Sequence, residues 1–119
     1  MPRTPAKKQR TTNRKWPPSR ARLDQLIEEA ITDAYDESEQ RTAFLTLIAD
    51  QLALPFETTV LDMVVTVEQV HLGAADDIVA ICRRGKKRQA IPILDLPLSS
   101  PPPAGAEWIE AYRRWVRGR

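Results

Sequence analysis

The sequence predicts an α+β fold: an N-terminal helical pair, a small bent antiparallel sheet and a C-terminal helix. Three observations carry that expectation. Apolar residues recur at helical spacing up to Leu52, β-branched residues dominate from Thr58 to Leu94, and a last helical stripe returns at Trp108. With 119 residues, the chain has room for one domain with a modest core of its own.

Charge divides the chain before any motif does. Residues 1–22 carry eight Lys/Arg and no acid, residues 23–82 carry thirteen Asp/Glu against Arg41 alone, and residues 83–119 carry nine Lys/Arg against three acids. The formal net charge of +2 therefore hides a central block at −12. Such a block repels itself, and either the basic flanks or a bound cation must offset it. Residues 1–22 are rich in Pro, Lys, Arg and Thr, with Trp16 the only large apolar group. They bury too little to offset the entropy of ordering, so a disordered basic tail is expected there, with a single domain over 23–119. Pro17-Pro18-Ser19 marks the boundary.

The first helix is expected over 21–35, from Leu23, Leu26, Ile27, Ala30, Ile31 and Ala34 at i, i+3, i+4 spacing. The next stripe, Phe44, Leu45, Ile48 and Leu52, is offset from the first, which predicts a separate helix over 38–52. Asp36 followed three positions on by Glu39 is an acidic variant of the capping signature. Pro55 closes the helical half. Strands are expected at Thr58-Thr59-Val60-Leu61, at 64–70, at Ile78-Val79-Ala80-Ile81-Cys82 and at 89–94. The apolar run at 78–82 suits a central strand, Gly85 supplies a turn, and Pro92 assigns the last strand to an edge or a bulge. Four or five such strands make a small, strongly bent sheet or an SH3-like barrel. Leu96 to Pro103 reads as an extended, proline-rich connector to a final helix over about 105–116. Its acids near the start and arginines near the end suit the helix dipole.

Catalytic chemistry finds little footing. His71 is the only histidine and Cys82 the only cysteine, so no zinc or iron ligand set and no Cys/His pair can be assembled. Cys82 lies in an apolar strand, where an inert thiol is expected. There is no glycine-rich phosphate loop. A single cysteine excludes an internal disulfide and suits a reducing, cytoplasmic setting. No apolar run is long enough to span a membrane.

Two charged features remain. Arg83-Arg84-Gly85-Lys86-Lys87-Arg88, with the basic tail, suits a small interaction module that binds nucleic acid or an acidic partner; a solvated turn, or one paired with the acidic block, is the plainer alternative. The second feature is Asp33-Ala34-Tyr35-Asp36-Glu37-Ser38-Glu39-Gln40, with four carboxylates in seven positions at the corner between the two helices. Such a cluster needs water, an arginine or a cation to screen it, and a hard divalent cation takes mainly carboxylate, carbonyl and water oxygens. Asp76 and Asp77, in the loop before 78–82, form a second acidic pair that folding can bring to the corner. The EF-hand pattern fails, because twelve residues counted from Asp36 put Arg41 at the glycine position and Leu47 at the glutamate position. A solvated acidic face and a cation site both remain open on composition.

The order of the blocks is itself informative. The acidic octet, Leu54-Pro55-Phe56-Glu57, Ile78-Val79-Ala80-Ile81-Cys82-Arg83-Arg84-Gly85, Gln89-Ala90-Ile91-Pro92-Ile93-Leu94-Asp95-Leu96 and Trp108-Ile109-Glu110-Ala111-Tyr112-Arg113 follow one another over residues 23–116. This order resembles the small bacterial calcium-binding family named for a cyanobacterial calcium-binding protein (the CcbP type). The resemblance implies a non-EF-hand Ca²⁺ binder with an acidic surface pocket, acting as an intracellular calcium buffer or sensor. It assigns Asp33, Asp36, Glu37 and Glu39 as candidate ligands, with Asp76 and Asp77 from the second acidic pair.

Overall fold

A computed structural model describes residues 16–118. Helices α1 (Arg20–Ile31) and α2 (Glu37–Gln51) precede strands β1 (Phe56–Val60), β2 (Met63–Leu72), β3 (Ile78–Arg84) and β4 (Lys87–Pro92). A single 3-10 turn (Ile93–Asp95) and helix α3 (Ala106–Arg117) complete the chain. The architecture is α+β, as the periodicities predict. Among the described residues no helix is long and apolar enough to cross a membrane.

Local chemistry explains where the helices begin and end. Helix α1 starts at Arg20, inside the stretch expected to be tail, because the Ser19 hydroxyl accepts the Arg22 N–H at 3.1 Å. Trp16 is half-buried against the core; residues 1–15 of the expected tail lie outside the described residues. The helix stops at Ile31, short of the expected 35, where the Thr32 hydroxyl donates back to the Glu28 carbonyl at 2.6 Å. Residues 32–36 then make the corner. Helix α2 opens on a full capping box: Asp36 Oδ1 accepts the Glu39 N–H at 2.8 Å, and Glu39 Oε1 accepts the Asp36 N–H at 3.3 Å.

The sheet is an antiparallel meander in the order β1-β2-β3-β4. Of the two forms the composition allows, the open sheet is the one formed, with β1 and β4 as its edges. A bulge between Val67 and Gln69 bends β2. Strand β3 is central, as its apolar run requires, and Pro92 ends an edge strand where no ladder bond is lost. Leu61 departs from expectation. With Asp62 it forms a two-residue hairpin turn at φ 51° and 67°, leaving it exposed and not paired in a strand.

One face of the sheet (Val65, Val67, Val70, Ile78, Ala80 and Cys82) joins the helices in a single core. Its centre is aromatic. Phe44 of α2 meets Tyr112 and Trp115 of α3 at ring separations of 5.6 and 5.3 Å. The connector from Leu96 to Pro103 is tied down at both ends: the Thr58 hydroxyl donates to the Pro97 carbonyl at 2.7 Å, and the Ala53 N–H donates to the Ala104 carbonyl at 2.9 Å.

Candidate metal site at the acidic corner

Folding divides the six candidate carboxylates into distinct settings. Asp36 and Glu39 are engaged by the backbone. Besides the reciprocal cap, Glu39 Oε1 accepts the Tyr35 N–H at 2.7 Å, so this carboxylate holds the corner and the helix start together. Asp33 and Glu39, with Glu29 beside them, line a shallow open groove of about 500 Å³. Glu37 faces a different centre. It meets Arg41 one turn along α2, with N and O 2.9 Å apart.

The same guanidinium reaches Asp76 at 3.2 Å, thirty-five residues away in the chain. The loop after β2 delivers it: Asp76 adopts a left-handed backbone at φ 62°, its N–H donates to the Gly73 carbonyl, and the Gly73 N–H donates to the Asp77 carbonyl. Asp77 Oδ1 lies over Gly73, 2.7 Å from where a Cβ would stand. The second acidic pair thus comes to the corner through Asp76, and Asp77 turns to its own loop.

Arg41 is the residue that the charge pattern marks. It is the sole Lys/Arg in 23–82, and it is only 9% exposed. Its guanidinium carbon stands 5.5 Å from the centre of the Trp115 ring. The Trp115 indole N–H in turn donates to Gln40 Oε1 at 3.1 Å. Burial alone would lower the Arg41 pKa. The Glu37 carboxylate, the Tyr112 phenol and the charge of Asp76 outweigh it and hold the group above its ordinary value, so it stays cationic.

The donor chemistry fits a hard cation, because the corner offers carboxylate oxygens and no sulfur or imidazole. The arrangement fits less well. Among the described residues no three His, Cys, Asp or Glu side chains converge closely enough to hold a metal ion. Where a divalent ion would neutralise Glu37 and Asp76, an arginine does so.

The other charges settle in ways that the sequence leaves open. Arg83 and Arg88 of the basic hairpin both bind Glu68 on β2, not the acidic corner. The Arg83 hydrogen bond leads in holding the Glu68 carboxyl below its usual range. Arg84, Lys86 and Lys87 have no ion pair among the described residues. Arg114 reaches Asp24 at 2.7 Å, so the basic C-terminal flank offsets part of the acidic block. Cys82 is buried and its thiol is pushed up by that burial, away from reactivity.

The capping box gives a direct test. Asp36→Ala removes the acceptor for the Glu39 N–H and is expected to cost about 1 kcal/mol in urea denaturation. Asp36→Asn keeps a capping oxygen and should cost less than half as much. Comparison with family models, with curated proteins and with solved structures yields no match.

Proposed function

We propose that this chain is a cytoplasmic binding protein, not an enzyme, that takes up Ca²⁺ reversibly at the acidic corner. The observation that carries the reading is the meeting of Glu37 and Asp76. Two carboxylates remote in sequence are brought to one cationic centre, with their side chains 52% and 62% exposed and open to an ion from solvent. Asp33, Asp36 and Glu39 at the corner, and Asp77 in the loop that carries Asp76, raise the local negative potential that draws such an ion. The ordered blocks that resemble the CcbP-type family support the same reading. Mg²⁺ is the poorer ligand, because it demands near-octahedral geometry and dehydrates reluctantly.

Binding to the folded state alone raises stability by mass action. Free calcium at about one hundred times Kd adds about 2.7 kcal/mol, which for a domain of this size is a rise of roughly 10 °C in Tm. Glu37→Gln combined with Asp76→Asn should abolish that rise. A melting curve that stays in place between chelator and millimolar-range calcium overturns the reading.

The second reading, a module for nucleic acid or an acidic partner, is favoured by Arg84, Lys86 and Lys87 standing without ion partners among the described residues. Its signature is binding that weakens steeply with salt and ignores calcium.

A further inference from the structure

We propose that the end of the sheet carrying the β1–β2 and β3–β4 turns is a docking surface for an anionic lipid bilayer. Leu61, Met63 and Val64 enter the interface, and Arg84, Lys86 and Lys87 meet the headgroups. The inference does not depend on the calcium reading, and it assigns the cations of the basic hairpin to a partner other than nucleic acid.

Topology brings the two groups together. In an antiparallel meander the first and third turns share one end of the sheet, and the loop between β2 and β3 lies at the other. Thr66 is paired with Arg83, so the start of β2, at Met63 and Val64, lies next to the Gly85-Lys86 turn of the adjoining strand. Among the described residues, three of the six large apolar side chains left exposed belong to the β1–β2 hairpin: Leu61, at 88%, Met63 and Val64. Apolar residues scattered singly are ordinary on a surface, whereas a contiguous group marks a contact. Leu61 is also held at φ 51°, a left-handed backbone that asparagine or glycine adopts far more readily. The fold gains nothing from a leucine there, since its side chain is in solvent and its backbone is strained. Beside it, Arg84, Lys86 and Lys87 stand exposed without ion partners among the described residues, whereas Arg83 and Arg88 are already held by Glu68. Asp62 is the acid in the turns, against these three cations. Nothing stands within 4 Å of a Cβ built on Gly85, so the cationic tip is unobstructed.

A bilayer surface rewards both halves of this end at once. Lys and Arg near an anionic leaflet are held by Coulomb attraction, and apolar side chains beside them bury in the boundary between headgroups and acyl chains. A nucleic acid takes the cations but offers less to exposed aliphatic groups, and residues 60–64 and 83–88 hold no aromatic ring on which a base could stack. A second copy is disfavoured, because the same three cations would meet their own kind. Charge elsewhere orients the docking. The acidic corner includes Asp76, in the loop at the far end of β2. That strand has ten residues, which at about 3.3 Å each put the loop roughly 30 Å from the tip, several Debye lengths at physiological salt. The negative end of the molecule stays clear of the leaflet while the positive end meets it.

The test is co-sedimentation of the full chain with vesicles of phosphatidylcholine alone and of equal parts phosphatidylcholine and phosphatidylserine, with a single-stranded DNA oligonucleotide titrated in parallel. The wild type should bind the vesicles that contain phosphatidylserine and not the others. Arg84→Gln, Lys86→Gln and Lys87→Gln together should weaken that binding on the order of a hundredfold. Leu61→Asn with Val64→Thr should weaken it about tenfold and leave oligonucleotide binding unchanged. Its Tm should hold or rise, because asparagine suits the turn and threonine the strand; if the pair melts lower, Leu61→Asn alone serves in its place. No sedimentation with either vesicle overturns the inference. Binding that both variants leave intact also overturns it and moves the contact to the basic residues 1–22. Loss with the cation variant alone, or oligonucleotide binding that falls with the apolar variant by the same factor, overturns the lipid assignment in favour of the nucleic-acid or acidic-partner reading. None of these outcomes bears on calcium.

Discussion

Gly105→Ala is expected to be among the most destabilising single substitutions in the chain, at a loss of roughly 2–6 kcal/mol. Gly105 begins α3 at φ 90°, in the left-handed region, where a side chain is strained by about 1–3 kcal/mol. The larger effect is steric. A Cβ built there would stand 2.2 Å from the Gln51 carbonyl oxygen and 2.7 Å from the Leu52 Cα. Those are backbone atoms at the end of α2, with no rotamer to swing aside. Nor can the two segments part freely, because the neighbouring Ala53 N–H is bonded to the Ala104 carbonyl. Forced overpacking adds about 1–3 kcal/mol, for a combined loss of roughly 2–6 kcal/mol against the 5–15 kcal/mol typical of a whole domain. Gly85→Ala is the control. Gly85 also has a positive φ, 63°, but nothing stands within 4 Å of the added carbon, so only the conformational cost of about 1 kcal/mol remains. Urea denaturation of both variants measures the difference. A Gly105→Ala protein no weaker than Gly85→Ala would show that the two helix ends can separate.

Arg113→Met should cost about 2–4 kcal/mol without touching the acidic corner. The Arg113 guanidinium donates to the Ile93 carbonyl at 2.8 Å and also to the Leu96 carbonyl, and it pairs with Glu110 at 2.9 Å. Ile93 and Leu96 are buried, so the arginine serves as backbone partner for the turn that leaves β4 and enters the connector. Methionine keeps the length and most of the apolar stem. What is lost is the set of donors, which strands the Leu96 carbonyl and leaves the Glu110 carboxylate, itself only 20% exposed, without its counter-charge. Arg114→Met is the comparison: its partner Asp24 is 60% exposed, and an exposed pair contributes little to stability. Thermal or urea unfolding should separate the two adjacent arginines clearly. Equal losses would mean that the Arg113 bonds to the turn are readily replaced by water.

Much of this architecture is legible in the sequence, because much of it is local. The stripe of Leu23, Leu26 and Ala30, the Asp36–Glu39 cap, the apolar run of β3, the turn at Gly85 and the edge position of Pro92 all follow from neighbours within a few residues. Failures occur where local preference is overruled or where a long side chain reaches across the fold. Leu61 has the composition of a strand residue, yet the hairpin geometry needs a positive φ and takes it there. Helix α1 ends at Ile31 although Ala34 continues its apolar spacing, so hydrophobic spacing does not register that end. Arg113 looks like a helix-end charge that suits the dipole, and its principal bonds go to carbonyls seventeen and twenty residues earlier. The acidic corner shows the same limit. Counting charges finds the cluster, but it does not reveal that one arginine links Glu37 to Asp76. The available signal was the solitude of Arg41 within a block of thirteen acids.

The edges of the sheet have a consequence for how the protein behaves when crowded. An open meander leaves two rows of backbone groups on which a neighbouring molecule can zip. On β4 that invitation is withdrawn, because Lys87 and Arg88 stand exposed along the strand and Pro92 ends it without an amide donor. On β1 the row is only five residues long and carries Glu57. Like-charged borders repel their own copies, so two cationic β4 rims do not zip together.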